Sequence, residues 1–215
     1  MRRNYFLIGA LLTAAALVAT AVSYPYLPGR VPTHWNLQGE VDGYSPRWML
    51  FIFGPSVMAS ILGLFRVLPW LSPKQFEVDT FRSTYLYIML VILVFFAYMF
   101  GLVLWAGLQG PWSTGQAMWG GVCLLFIMLG NVLGKVRRNF WIGVRTPWTL
   151  ANERVWNATH RFAAKTFVVG GVAGFVLSLA GSGFWISFGA LMAGALAPVA
   201  HSVVYYKQLE RRGEV

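Results

Sequence analysis

Charge and cysteine are the two things this chain is short of. Charged residues make up 11% of it, against about 25% in a soluble domain. Acidic groups are the scarcer sign, seven Asp and Glu against seventeen Lys and Arg. None lies in the middle of an apolar run: Glu77 and Asp79 fall in a connector, Glu210 and Glu214 in the tail. A proton-coupled transporter usually relies on an intramembrane carboxylate, so that class is disfavoured. The single Cys123 sits within an apolar run, which excludes a disulfide framework and a cysteine-based metal site. No polar stretch is long enough to fold a cofactor-sized soluble domain, so no cofactor is expected. HExxH, GxSxG and the phosphate-binding P-loop are all absent, and enzymatic activity is not expected.

What the chain has is hydrophobicity: 57% of its 215 residues, with a mean hydropathy of +0.59. A membrane-spanning helix needs about 20 mostly apolar residues. Six segments qualify, at about Tyr5–Ser23, Trp48–Leu71, Tyr85–Leu108, Gln116–Gly134, Phe162–Gly181 and Phe184–Tyr206. Hydrocarbon leaves backbone groups no water to bond, so spans are helices or closed barrels. Runs this long and unbroken lack the alternation of barrel strands. The expected fold is all-α, a polytopic bundle of six transmembrane helices in the bacterial cytoplasmic (inner) membrane. It divides into a two-helix unit, 1–80, and a four-helix unit, 81–215.

The cations orient it. With the N-terminus inside, fourteen fall on the cytoplasmic side: Arg2, Arg3, Lys74, Arg82, seven between Lys135 and Lys165, then Lys207, Arg211 and Arg212. Only Arg30 and Arg47 fall outside, while Arg66 lies near the cytoplasmic end of the second span and snorkels. This positive-inside asymmetry places both termini in the cytoplasm. It also accounts for the net charge of +10 without nucleic acid, which is not expected as a direct partner. Arg2, Arg3 and Ala19-Thr20-Ala21 together resemble a signal peptide, so cleavage of residues 1–21 is an alternative.

The external connector from Tyr24 to Arg47 is rich in Pro and Gly and reads as ordered turns rather than helix. His34, Asn36, Glu40, Asp42 and Tyr44 are its candidate binding residues. Two readings compete. His34, Glu40 and Asp42 are ordinary ligand types for a divalent metal, although their spacing matches no firm signature. The plainer reading is turn-building, with Asn36, Gly39 and Gly43 shaping the backbone, an Asx-turn at Asp42 and a local hydrogen bond from His34.

Within the spans, Gly170 with Gly174, and Gly189 with Ala193, allow close helix contact. Pro198 is placed to kink the last span. Trp48, Trp70, Trp112, Trp119, Trp185 and Tyr205 at span ends fit an interfacial belt. Polar groups at membrane depth are few: Asn131, His201 and Arg66, all near cytoplasmic ends.

The basic connector carries the most unusual pattern, KVRRNFWIGVRTPWTLANERVWNATHRFAAK from Lys135 to Lys165. Thr146-Pro147 is a helix start, a capping hydroxyl followed by a proline where no N–H is needed. A helix of about four turns is expected to run from there into the fifth span. Helical spacing puts Trp148, Val155, Trp156, Thr159 and Phe162 on one face and Glu153, Asn157, His160 and Arg161 on another. That describes an amphipathic helix at the cytoplasmic interface with its tryptophans among headgroups. Arg137, Arg138 and Arg145 face anionic lipid, each contributing about 1 kcal/mol. Anchoring alone does not need Asn139, Gly143, Arg145, Thr146 or Asn152, which points to a specifically folded loop. Arg145 and Glu153 are candidates for an ion pair within it.

From Asn131 to Arg161 the chain reads N-x-x-G-K-x-x-x-N-x-x-x-G-x-R-T-P-W-T-L-x-x-E-x-V-W-x-x-T-H-R. This resembles the signature of the SdpI family, bacterial membrane proteins named for a toxin-immunity protein. Carried onto this chain, the motif is Asn131, Lys135, Asn139, Gly143, Arg145, Thr146, Pro147, Trp148, Thr149, Glu153, Trp156, Thr159, His160 and Arg161. Val144 stands where Ile is usual, and Phe162-Ala163-Ala164 where a Gly is common, which touches local packing. The external segment P-x-H-x-N-x-x-G-x-x-D-x-Y, from Pro32 to Tyr44, is similar to the domain of unknown function that forms the family's N-terminal half. The resemblance implies protection of the producer from a secreted peptide that attacks the membrane. It also implies retention of a transcriptional repressor at the membrane when toxin is present. The lipid bilayer, a peptide toxin outside and a cytoplasmic regulator are the partners it implies. The alternatives are a small-solute transporter or channel, and a metal-dependent envelope enzyme built on His34, Glu40 and Asp42.

Overall fold

In the computed structural model, residues 2–110 and 114–214 are described. The helices are α1 (Arg2–Ser23), α2 (Val57–Leu71), α3 (Arg82–Gln109), α4 (Gly115–Leu133), a short α5 (Pro147–Ala151), α6 (Glu153–Leu179) and α7 (Phe184–Arg211). Six stretches are long and apolar enough to cross a membrane: Asn4–Tyr26, Arg47–Leu71, Lys74–Gln109, Gly115–Leu133, Glu153–Leu179 and Phe184–Arg211. Each overlaps one of the expected spans. Trp48, Trp70 and Trp185 are exposed at span ends, as belt residues should be, while Trp112 lies outside the described residues.

The chain forms two compact units, one holding the residues up to Phe65 with Met89–Val122, the other Arg66–Ile88 with Cys123 onward. In the first, the Tyr24–Arg47 connector is not a run of turns alone. It forms an antiparallel hairpin of β1 (Arg30–Trp35) and β2 (Val41–Pro46), pairing Val31 with Ser45, His34 with Gly43 and Trp35 with Val41. Leu27 and Val31 are buried and lie where a Cβ on Gly107 of α3 would meet them. Entry to α2 passes through a π-turn at Ile52–Ser56. Pro55 there has no N–H to donate, and Gly54 presses on the Phe100 ring, where a Cβ would leave 2.5 Å.

In the second unit, α6 and α7 make a hairpin with close backbone contact. A Cβ on Gly170 would meet Gly194 Cα at 3.0 Å and Ala190 O at 3.2 Å, and Ser187 Oγ donates to the Gly174 carbonyl at 2.6 Å. Gly170 and Gly174 thus serve packing within the chain. Gly189 and Ala193 do not share that role: both are exposed, and a Cβ on Gly189 meets nothing. α7 runs unbroken through the buried Pro198.

The single helix expected after Thr146 is two. Asn152 adopts an extended conformation (φ −134°, ψ 124°) that ends α5, and its Oδ1 accepts from the Arg154 and Val155 N–H groups to start α6. An asparagine whose side chain satisfies two orphan donors favours a cap over a helix interior.

Candidate functional sites: an external hairpin and a buried loop core

The hairpin tip is organised by Asn36. Its Oδ1 accepts from the backbone N–H of Gln38 (3.0 Å) and of Glu40 (2.9 Å), and its amide donates to Glu40 Oε2 at 3.3 Å. The Asx-turn expected at Asp42 therefore sits at Asn36. Asp42 is otherwise engaged, its Oδ1 lying 2.5 Å from His34 Nδ1. Gly39 adopts φ +82°, which a side chain strains, and its Cα faces the backbone of Gly115 at the start of α4. Lower down, Thr33 and Ser45 hydroxyls meet at 2.8 Å, and Arg30 donates to the Tyr44 carbonyl at 2.9 Å. Arg47 lies over the Tyr24 ring at 4.4 Å and donates to the Tyr24 and Leu27 carbonyls. His34, Asp42 and Tyr44 stay exposed: the side chains of His34 and Asp42 keep 72% and 45% of their accessible surface. Glu40 turns to Asn36 and Asp42 to His34. Among the described residues no three His, Cys, Asp or Glu side chains gather as a metal site.

The loop between α4 and α6 is built around buried polar groups. Asn139 is fully buried and makes four hydrogen bonds. Its amide donates to the carbonyls of Arg137 (2.8 Å) and Ile142 (3.0 Å), and its Oδ1 accepts from the N–H of Trp141 (2.7 Å) and Ile142 (2.8 Å). Every polar atom of that side chain is used, which a buried amide requires. Thr146 and Thr149 form a reciprocal capping box around Pro147. The Thr149 hydroxyl also donates to the Val144 carbonyl at 2.8 Å, and the Thr146 hydroxyl to Ser202 on α7 at 3.1 Å.

Trp156 and His160 are the centre of this core. Trp156 is fully buried and its indole N–H donates to the Val136 carbonyl at 2.8 Å, just past the end of α4. His160 stacks on it at 4.0 Å between ring centres. The Val144 N–H donates to His160 Nε2 at 3.0 Å, so Nε2 carries no proton. Nδ1 therefore holds it and donates to the Trp156 carbonyl at 2.9 Å. Gly143 takes φ +113° beside the ring, and a Cβ there would run into His160 Nε2.

Three expectations are corrected here. Trp156 does not sit among headgroups, and His160 does not lie on the polar face. Val155, Trp156, Thr159, His160 and Ala163 form one buried stripe at helical spacing. The Arg145–Glu153 pair does not form: Arg145 is exposed and donates to the Phe140 carbonyl, and the described ion pair from this stretch joins Arg154 to Glu214 at 2.8 Å. Of the motif, Asn139, Gly143, Thr146, Thr149, Trp156, Thr159 and His160 come together, with Pro147 and Trp148 on α5. Asn131, Lys135, Glu153 and Arg161 are exposed on the surface.

The sequence reading missed the segment that the loop docks against. Trp141 donates to Ser72 Oγ at 2.6 Å, the Phe76 and Phe140 rings meet edge-on at 4.4 Å, and Arg138 lies over Phe76 at 5.3 Å. Only the aromatic pair Phe76 and Phe81 in an otherwise polar connector hinted at it.

Six apolar spans, a hairpin between the first two and a folded polar loop before the fifth define a multi-pass membrane protein. Residues 135–205 match the SdpI/YfhL protein family, and residues 11–59 match a domain of unknown function, DUF1648. The chain is 28% identical over 219 residues to the immunity protein SdpI of Bacillus subtilis (strain 168), covering 97% of this chain and 98% of that one. Both matches and the relative point the same way: the chain is similar to the SdpI family along nearly its whole length. No solved structure is significantly similar to it.

Proposed function

We propose that this is an immunity protein that protects its cell from a membrane-active antimicrobial peptide. The observation that carries this reading is the end-to-end similarity to an immunity protein, with both motifs present in the same order. In this reading both termini are cytoplasmic, following the distribution of the cations. The hairpin then faces outward and the Trp156–His160 loop faces the cytosol. The mechanism is binding rather than catalysis: His34, Asp42 and Tyr44, exposed on a hairpin held rigid by Asn36, capture or exclude the peptide.

A relay to a cytoplasmic regulator extends the proposal. What supports it is the contact of Gly39 with Gly115, which places the hairpin tip against the first turn of α4 without an intervening side chain. A strain lacking the gene, challenged with a panel of membrane-active peptides, tests the main reading. Sensitivity to at least one peptide, rescued by the wild type and not by His34→Ala, is the expected outcome. Sensitivity unchanged across the panel contradicts it. Labelling of a cysteine placed at Asn152 from outside the cell would contradict the orientation.

A further inference from the structure

Beside the Trp141–Ser72 contact lies a hollow of about 320 Å³ that neither motif accounts for. It is lined by Lys74, Glu77 and Thr80 from the connector before α3, and by Arg137, Arg138 and Glu153 from the basic loop and the start of α6. Its position follows from connectivity. The connectors after α2 and after α4 lie on the same side of a six-span chain. Lys74 comes three residues after the end of α2, and Glu153 is the first residue of α6. The hollow therefore lies close to the ends of α2 and α4, on the side of a six-span chain that both connectors share.

Its walls are held in place. Asn139 anchors the Arg137 carbonyl, and Arg138 donates to the Leu150 carbonyl at 3.2 Å while lying over Phe76. Its charges are not mutually satisfied. The ion pairs among the described residues are His34–Asp42, Arg82–Asp79, Arg154–Glu214 and Lys207–Glu210. Lys74, Arg137, Glu77 and Glu153 take part in none. Three cations and two carboxylates around one hollow select a ligand that carries both signs. Guanidinium and ammonium groups bind phosphate oxygens, and the carboxylates accept from an ammonium. No aromatic ring lines the hollow, so it lacks the cage that a quaternary ammonium needs. A primary ammonium fits.

We infer that this hollow binds a phosphoethanolamine group, supplied by the headgroup of an aminophospholipid of the surrounding leaflet. Lys74, Arg137 and Arg138 take the phosphate, and Glu77 and Glu153 take the ammonium. The site clamps the 72–81 connector to the basic loop through a lipid, independently of what the hairpin recognises.

The test is lipid binding to the purified full-length protein, stripped of lipid in detergent and followed by native mass spectrometry. Phosphatidylethanolamine, phosphatidylcholine, phosphatidylglycerol and free phosphoethanolamine are titrated separately. Phosphatidylethanolamine should bind one per chain and about tenfold tighter than the other two lipids. The double variant Lys74→Gln/Arg137→Gln should lose about tenfold of that affinity. Glu77→Gln/Glu153→Gln should instead lose the preference, by binding phosphatidylglycerol better. These side chains lie on the surface, and Arg137→Lys, which keeps the charge, controls for folding by restoring binding. Equal binding of all three lipids, or an unchanged affinity in the Lys74/Arg137 variant, overturns the site. Free phosphoethanolamine binding as tightly as the lipid overturns the membrane source and assigns the hollow to a soluble ligand.

Discussion

The hairpin and the basic loop are both connectors between apolar spans, and both are ordered by a single asparagine, yet they spend that order differently. At the hairpin, Asn36 shapes a turn whose other polar side chains, His34, Asp42 and Tyr44, remain in water. In the loop, Asn139 is sealed inside and bonded, along with Thr149 and His160, and the charged residues are left on the rim. A buried polar group is costly when unpaired and specific when paired. The lesson is that the loop's side chains define one conformation, while the hairpin's side chains are free to meet something else. Substitutions should therefore damage folding in the loop and function in the hairpin.

The sharpest test of this contrast is Trp156→Ala. It removes a fully buried ring and strands the Val136 carbonyl, and should cost about 3–5 kcal/mol. A collapse of the unfolding midpoint in detergent checks it. Gly143→Ala comes next. Its φ of +113° and the ring of His160 both oppose a side chain, and strain of this kind costs about 1–3 kcal/mol. Asn139→Ala orphans two carbonyls and two N–H groups, and should lose about 1–3 kcal/mol by the same measurement. At the other connector the effect shrinks. Asn36→Ala loses the turn that its side chain builds and should cost about 1 kcal/mol. Asp42→Ala, in an exposed pair, should cost less than about 1 kcal/mol, while abolishing peptide protection in the complementation assay. A substitution of an exposed hairpin side chain, His34, Asp42 or Tyr44, more destabilising than Gly143→Ala would erase the distinction between the two regions.

Much of this was legible in the chain. The spans follow from apolar length alone, because hydrocarbon thickness sets it. The Thr146-Pro147 start follows from local capping chemistry, which acts within four residues. Four features escaped for physical reasons. The strands of the hairpin carry Pro32, Gly43 and Pro46, residues that weaken a strand signal, and only pairing across the turn reveals them. The break at Asn152 is a competition between helix continuation and a side-chain cap, which composition does not decide. His160 groups by helical spacing with Glu153, Asn157 and Arg161, yet its separations of four from Trp156 and three from Ala163 also put it on the inner stripe, where it is buried. Spacing alone leaves it at the border of the two faces, and the bonding of both ring nitrogens makes it a comfortable core residue. The docking of Trp141 on Ser72 joins residues 69 apart in sequence, beyond any local signal.

Gly143 and His160 illustrate what such a loop imposes on its own variation. The glycine's missing side chain is the space that the imidazole occupies, and the bend at the glycine aims the neighbouring Val144 amide at that ring. Neither position has a tolerance of its own. A smaller residue at 160 makes room for alanine at 143 but forfeits the acceptor, so the double substitution should be less damaging than the sum of the singles. Epistasis is thus written into the loop at that corner, and a library that varies the two sites one at a time will misjudge both.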